Sequence, residues 1–161
     1  MIITGTLAHF VYEWTGNNSV AGLFVPVNES VWEHMKLLFF PMLLYAVSAR
    51  HKLKGVYPCI GASFCFGILA GTLLIPILFY AYTAVCGKNY FVLDIATFVL
   101  SVILAFWLTF RLAQSCRANP YAPLLYALTA ALFVCFAVFT YHPPDGKLFD
   151  DPTVSQTFFL Q

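Results

Sequence analysis

The sequence predicts an all-α fold, a polytopic bundle of about five transmembrane helices with its N-terminus inside and its C-terminus outside. Three observations predict it. Charged residues make up only 9% of the chain, against about a quarter in an ordinary soluble domain. The apolar share is 61% and the mean hydropathy +0.81, more apolar surface than a soluble fold of this size can hide. The few charges are also sorted. Threaded through a bilayer, all seven carboxylates fall at or beyond one face, while five of the eight Lys and Arg collect at the other. A length of 161 residues implies one compact membrane domain, 1–161. The net charge of +1 gives no reason to expect nucleic acid as a partner.

The apolar runs set the passes in order. Residues 1–14 come first and are short. At helical rise they reach about 21 Å, against a hydrocarbon core of about 30 Å, so the expectation is that the natural start lies upstream of Met1. Residues 31–49, 57–85, 90–113 and 121–141 each supply the roughly 20 residues a spanning helix needs. Pro41 and Pro76 each remove one backbone hydrogen bond and should bend their helices. Arg50, Lys52 and Lys54 in the short connection 50–56, with Arg111 and Arg117 flanking the loop that ends in Asn119-Pro120, mark the cytoplasmic side by the positive-inside rule. Residues 15–29, the turn Gly87-Lys88-Asn89 and the tail 143–161 then face outward. Trp14, Trp32, Tyr90 and Tyr141 sit at that outer boundary, where amphipathic rings belong. Gly67 and Gly71 form a GxxxG, read as a packing face inside the bundle in preference to a dimer seam. The five cysteines form no CxxC pair, and their odd number argues for packing residues over a disulfide framework.

Depth arithmetic points to a site near the outer face. His9 lies five residues before Trp14, about 7.5 Å inside the boundary. His34 lies four past Ser30 and Asp94 four past Tyr90, each about 6 Å in. Ionisable groups at that depth usually face the bundle interior or a wet cavity. Imidazole with carboxylate suits zinc or another divalent cation, so His9, His34 and Asp94 are the candidate metal ligands. Glu33 is the candidate general base, and Glu13 the carboxylate partner that orients His9. No HExxH or HxxxH is present, so every ligand would come from a different pass.

Each of these residues has a plainer reading. Ser30-Val-Trp-Glu33 is a capping box, with serine hydroxyl and glutamate carboxylate each taking the other's amide donor. Lys36, one turn past Glu33, either pairs with it or snorkels outward. His9 and Glu13, four apart, can simply hydrogen-bond. Asp94 suits a first helical turn. His142 ends a helix at the water line, and His51 belongs to the cytoplasmic basic group.

Two stretches carry a resemblance. HFVYEWTGNN (9–18) running through FVPVNESVWEHMKLLFFPMLL (24–44), together with YHPPDGKLFDDP (141–152), resembles an uncharacterised family of small bacterial integral membrane proteins. The PVNESVWEH run is its most specific part. The resemblance implies a multi-pass protein of the bacterial cytoplasmic membrane with a longer first helix. It implies no activity and transfers no catalytic role.

Three classes of function follow. The first is a non-catalytic membrane protein that scaffolds or regulates a protein partner, its tail closing the outer mouth as a lid or docking the partner through Phe158, Phe159 and Leu160. The second is a membrane-embedded metal-dependent hydrolase acting on a lipid or envelope substrate. The third is a cation or proton transporter using the same residues. A haem ligated by His9 and His34 is a further alternative.

Overall fold

The computed structural model describes residues 2–151, without the side chains of Ile2, Thr6 and His9. Its elements are α1 (Ile2–Trp14), a one-turn α2 (Ser19–Gly22), α3 (Val31–Leu53), α4 (Ile60–Cys86), α5 (Phe91–Ser115) and α6 (Ala122–Phe139), the last entered through a 3₁₀ turn at Asn119–Tyr121. No strand occurs among the described residues.

Local chemistry explains where these helices stop. Ser30 caps α3, its hydroxyl accepting from the Glu33 amide at 3.3 Å. The helix continues past Ala49 to Leu53, since Arg50, His51 and Lys52 in its last turn favour the negative end of the dipole. Helix α4 runs through Pro76 and ends where Gly87 turns left-handed at φ 73°. Helix α5 ends the same way at Cys116, φ 52°.

Three of these helices are long and apolar enough to cross a membrane: α4, α5, and α6 together with its 3₁₀ entry. Helix α3, with 23 residues, is long enough at about 34 Å. It carries Glu33 and Lys36 near one end and Arg50 and Lys52 near the other. Its middle is the best-buried part of the molecule, with Leu38, Phe39 and Met42 all at 0% exposure.

Helix α4 packs on α3, α5 and α6, and α1 packs on α3. The GxxxG is a seam within the bundle. A Cβ placed on Gly67 would meet the Thr109 hydroxyl at 2.0 Å and the Ala105 carbonyl at 2.6 Å, and one on Gly71 would meet the Ala105 methyl at 2.6 Å. Ser101, Ala105 and Thr109, spaced four apart, are the small residues of α5 that receive these glycines.

The cysteine expectation is corrected. Cys59 and Cys116, 57 positions apart in sequence, form a disulfide, with their Cα atoms 5.4 Å apart. The cause is topological. Antiparallel α4 and α5 bring the start of one to the end of the other, which residue spacing does not reveal. Cys65, Cys86 and Cys135 are free thiols.

Candidate functional site

Cross-contacts define two ends of the bundle. The start of α3 meets the end of α6, and the end of α4 meets the start of α5, at an end rich in carboxylates. The end of α3 and the starts of α4 and α6 meet at the basic end.

At the acidic end a polar centre grows from the first turn of α3. Lys36 is 0% exposed and Glu33 2%. The Lys36 ammonium has three protons and finds three acceptors: Glu33 Oε2 at 2.7 Å, the Gly22 carbonyl at 3.0 Å and Thr140 Oγ1 at 2.5 Å. The Thr140 hydroxyl donates in turn to the Phe136 carbonyl at 2.6 Å. Glu33 Oε2 also accepts the Val27 amide at 3.0 Å. One buried ion pair therefore ties α3 to the 15–29 connection on one side and to the end of α6 on the other. The snorkelling alternative for Lys36 does not occur, because its acceptors lie inward.

The capping box is realised only by half. Ser30 accepts from Glu33, but the Ser30 amide donates to Asn28 Oδ1 at 3.0 Å, the Glu33 carboxylate being committed to Lys36 and Val27.

A roof covers this centre. Asn18 caps α2 through the Val20 and Ala21 amides, and the Tyr141 hydroxyl donates to the Ser19 carbonyl. The tail folds back over the start of α3. The Trp32 amide, a first-turn donor with no partner in its own helix, donates to the Leu148 carbonyl at 3.0 Å. The Glu29 amide donates to Asp151 Oδ2 at 3.3 Å. Phe149 packs its ring against Trp32 at 5.0 Å and Phe139 at 5.7 Å. Trp32 Nε1 is a buried donor without a hydrogen-bond partner among the described residues, set among the rings of Phe136, Phe139 and Phe149. The tail thus lies across the mouth as far as Asp151. Phe158, Phe159 and Leu160 lie outside the described residues.

The other candidates sit around this centre. His34 is at the rim, its Nδ1 2.9 Å from the Ser30 carbonyl and its Nε2 3.4 Å from Glu29 Oε2. Asp94, in the first turn of α5, accepts from the Tyr82 hydroxyl of α4. Glu13 is exposed near the end of α1, and His142 is exposed beyond α6. The His9 side chain lies outside the described residues. His34 and Asp94 are thus held by different local partners, and among the described residues no group of three His, Cys, Asp or Glu side chains is placed to hold a metal.

Lys36 and Thr140 are the members that the depth arithmetic passed over. A lysine six residues into a helix that reads as membrane-spanning was the available signal. Gly22 and Thr140 carried none, since one contributes a backbone carbonyl and the other a hydroxyl 104 residues away.

At the basic end a groove of about 450 Å³ runs between α3, α4 and α6 and reaches Arg50. A second cavity, about 310 Å³, is lined by Val47, Arg50, His51 and Lys54.

A family model described as a family of unknown function (DUF6512) matches residues 1–158. Nothing among the curated proteins or the solved structures matches this chain.

Proposed function

The chain belongs to DUF6512, a family of unknown function, and from the closure of its polar centre we propose that it is a non-catalytic membrane protein that scaffolds or regulates a membrane partner. Helices α4, α5 and α6 are long and apolar enough to cross a membrane; in our reading they do so together with α1 and α3, in a bacterial cytoplasmic membrane. The basic end faces the cytoplasm and the tail faces outward, a reading supported by the five Lys and Arg of that end.

One observation carries the choice of class. Every proton of the buried Lys36 ammonium is taken inside the fold: one by Glu33 on its own helix, one by Gly22 of the 15–29 connection and one by Thr140 at the end of α6, while the same Glu33 oxygen accepts the Val27 amide. A centre for hydrolysis or ion passage needs a donor, acceptor or ligand position turned toward an incoming molecule. This one is turned inward on every side and works as a clamp under a fixed roof.

The test uses purified protein. Elemental analysis is expected to find no stoichiometric metal, and proteoliposomes are expected to pass protons and cations no faster than empty vesicles. Stoichiometric zinc that disappears in His34→Ala would overturn the proposal in favour of a hydrolase. Flux that disappears in Asp94→Asn would overturn it in favour of a transporter.

A further inference from the structure

The groove at the basic end is built by three helix faces with the same spacing. Helix α3 supplies 43, 46, 47 and 50, α4 supplies 61, 64, 65 and 68, and α6 supplies 126, 129, 130, 133 and 134. Each set follows the i, i+3, i+4, i+7 pattern of one helix face, so the slot runs along the helices for about 10 Å at helical rise. Its walls are apolar (Leu43, Phe64, Ile68, Phe133), and the one charged residue lining it is Arg50.

Arg50 closes the end of the slot. Its guanidinium lies 6.0 Å from the centre of the Tyr126 ring, and among the described residues it has no carboxylate partner. It also lines the adjoining cavity with His51 and Lys54. An apolar slot and a cationic bowl therefore meet at one residue. Gly61 keeps that junction open, for a Cβ there would come within 2.5 Å of the Tyr126 hydroxyl and 3.7 Å of the Arg50 guanidinium carbon.

We propose that this junction is a binding site for an anionic phospholipid, with one acyl chain in the slot between α3, α4 and α6 and the phosphate on Arg50, flanked by His51 and Lys54. Charge complementarity selects the class. Arginine matches a phosphate with paired donors, and basic pockets between helices at a membrane face take anionic head groups. A zwitterionic lipid offers the same chain, but its ammonium meets three basic side chains. The inference rests on these helices crossing the bilayer, which carbonate extraction of membranes tests separately: release of the protein would sink the membrane reading, whereas retention leaves the lipid site to be judged by the following measurement.

Protein in detergent micelles is titrated with phosphatidylglycerol, with phosphatidylcholine and with inorganic phosphate, while bound lipid is followed by native mass spectrometry and the unfolding midpoint by circular dichroism. Phosphatidylglycerol is expected to bind and raise the midpoint, with phosphatidylcholine weaker and inorganic phosphate without effect. Arg50→Gln should weaken phosphatidylglycerol by about tenfold, the equivalent of one charge-assisted contact. Gly61→Val should do so with all basic residues kept, which separates the site from bulk charge, and Lys88→Gln at the far end should change nothing. Equal binding of the two lipids, or an unchanged preference in both Arg50→Gln and Gly61→Val with native helicity, would overturn the proposal. So would inorganic phosphate reproducing the stabilisation, which would leave a bare anion site. Cross-linking of Ala130→Cys between two copies, lost in Gly61→Val, would overturn it by making a second chain the occupant.

Discussion

Lys36 shows how far a single side chain's role depends on residues remote from it. An ammonium with no exposed surface is tolerated only when its protons are all accepted, and here the acceptors come from Glu33, Gly22 and Thr140. Removing one partner of such a pair strands the other charge. Lys36→Met should therefore lower stability by about 3–5 kcal/mol, as breaking buried pairs does. The double variant Glu33→Leu with Lys36→Met removes both charges and should recover most of that loss. Urea or thermal unfolding in micelles measures both, and a double variant no better than the single would show that the pair is worth more than its own mutual compensation. The i, i+3 spacing of Glu33 and Lys36 made their pairing legible. Its burial was not, because it depends on a carbonyl 14 residues upstream and a hydroxyl 104 residues downstream. Depth arithmetic likewise placed His34 and Asp94 at one level but could not give their azimuth around the bundle. The structure gives His34 to Ser30 and Glu29, and Asp94 to Tyr82.

Between helices, close packing turns on backbone approach. The α4–α5 seam sets Gly67 against the Ala105 carbonyl, which belongs to the backbone and cannot swing aside, whereas Gly61 faces the tip of the Tyr126 side chain. Gly67→Ala must therefore push α4 and α5 apart, while Gly61→Ala is accommodated by a ring movement. The expected outcome is a clear loss of unfolding midpoint for Gly67→Ala, on the order of the 1–3 kcal/mol that overpacking costs, and a smaller change for Gly61→Ala. Reversal of that order would mean that the seam is looser than its geometry. Much at this scale was legible: the four long helices fall on the apolar runs, and the turns at Gly87 and Asn119-Pro120 fall between them. The polar connection 15–29 carried no periodicity, so the α2 turn inside it and the roof it forms were invisible until Asn18, Ser19 and Gly22 were placed against α3 and Tyr141.

The molecule as a whole joins two features that physical rules assign to opposite compartments. The basic end collects Arg50, Lys52, Lys54, Arg111 and Arg117, and charge bias sends such an end to the cytoplasm. The same end holds the Cys59–Cys116 pair, and mesophilic cytoplasm keeps thiols reduced. Closing a loop of that separation in a free chain would stabilise the fold by about 4 kcal/mol. Inserted helices are already confined by the bilayer, so the bond adds only part of that, and the bundle should fold without it. With the basic end inside, Cys59 and Cys116 are expected to be dithiols in growing cells and to join once the protein leaves the reducing compartment. Acid-quenched cells, alkylated under denaturing conditions and analysed by mass, should show both residues modified. The purified, air-exposed protein should show neither modified until a reductant is added. A bond already present in the quenched cells would mean that redox chemistry overrides charge bias. The basic end would then face outward, the roof over Lys36 and Glu33 would lie at the cytoplasmic surface, and the Arg50 groove would open to the opposite leaflet.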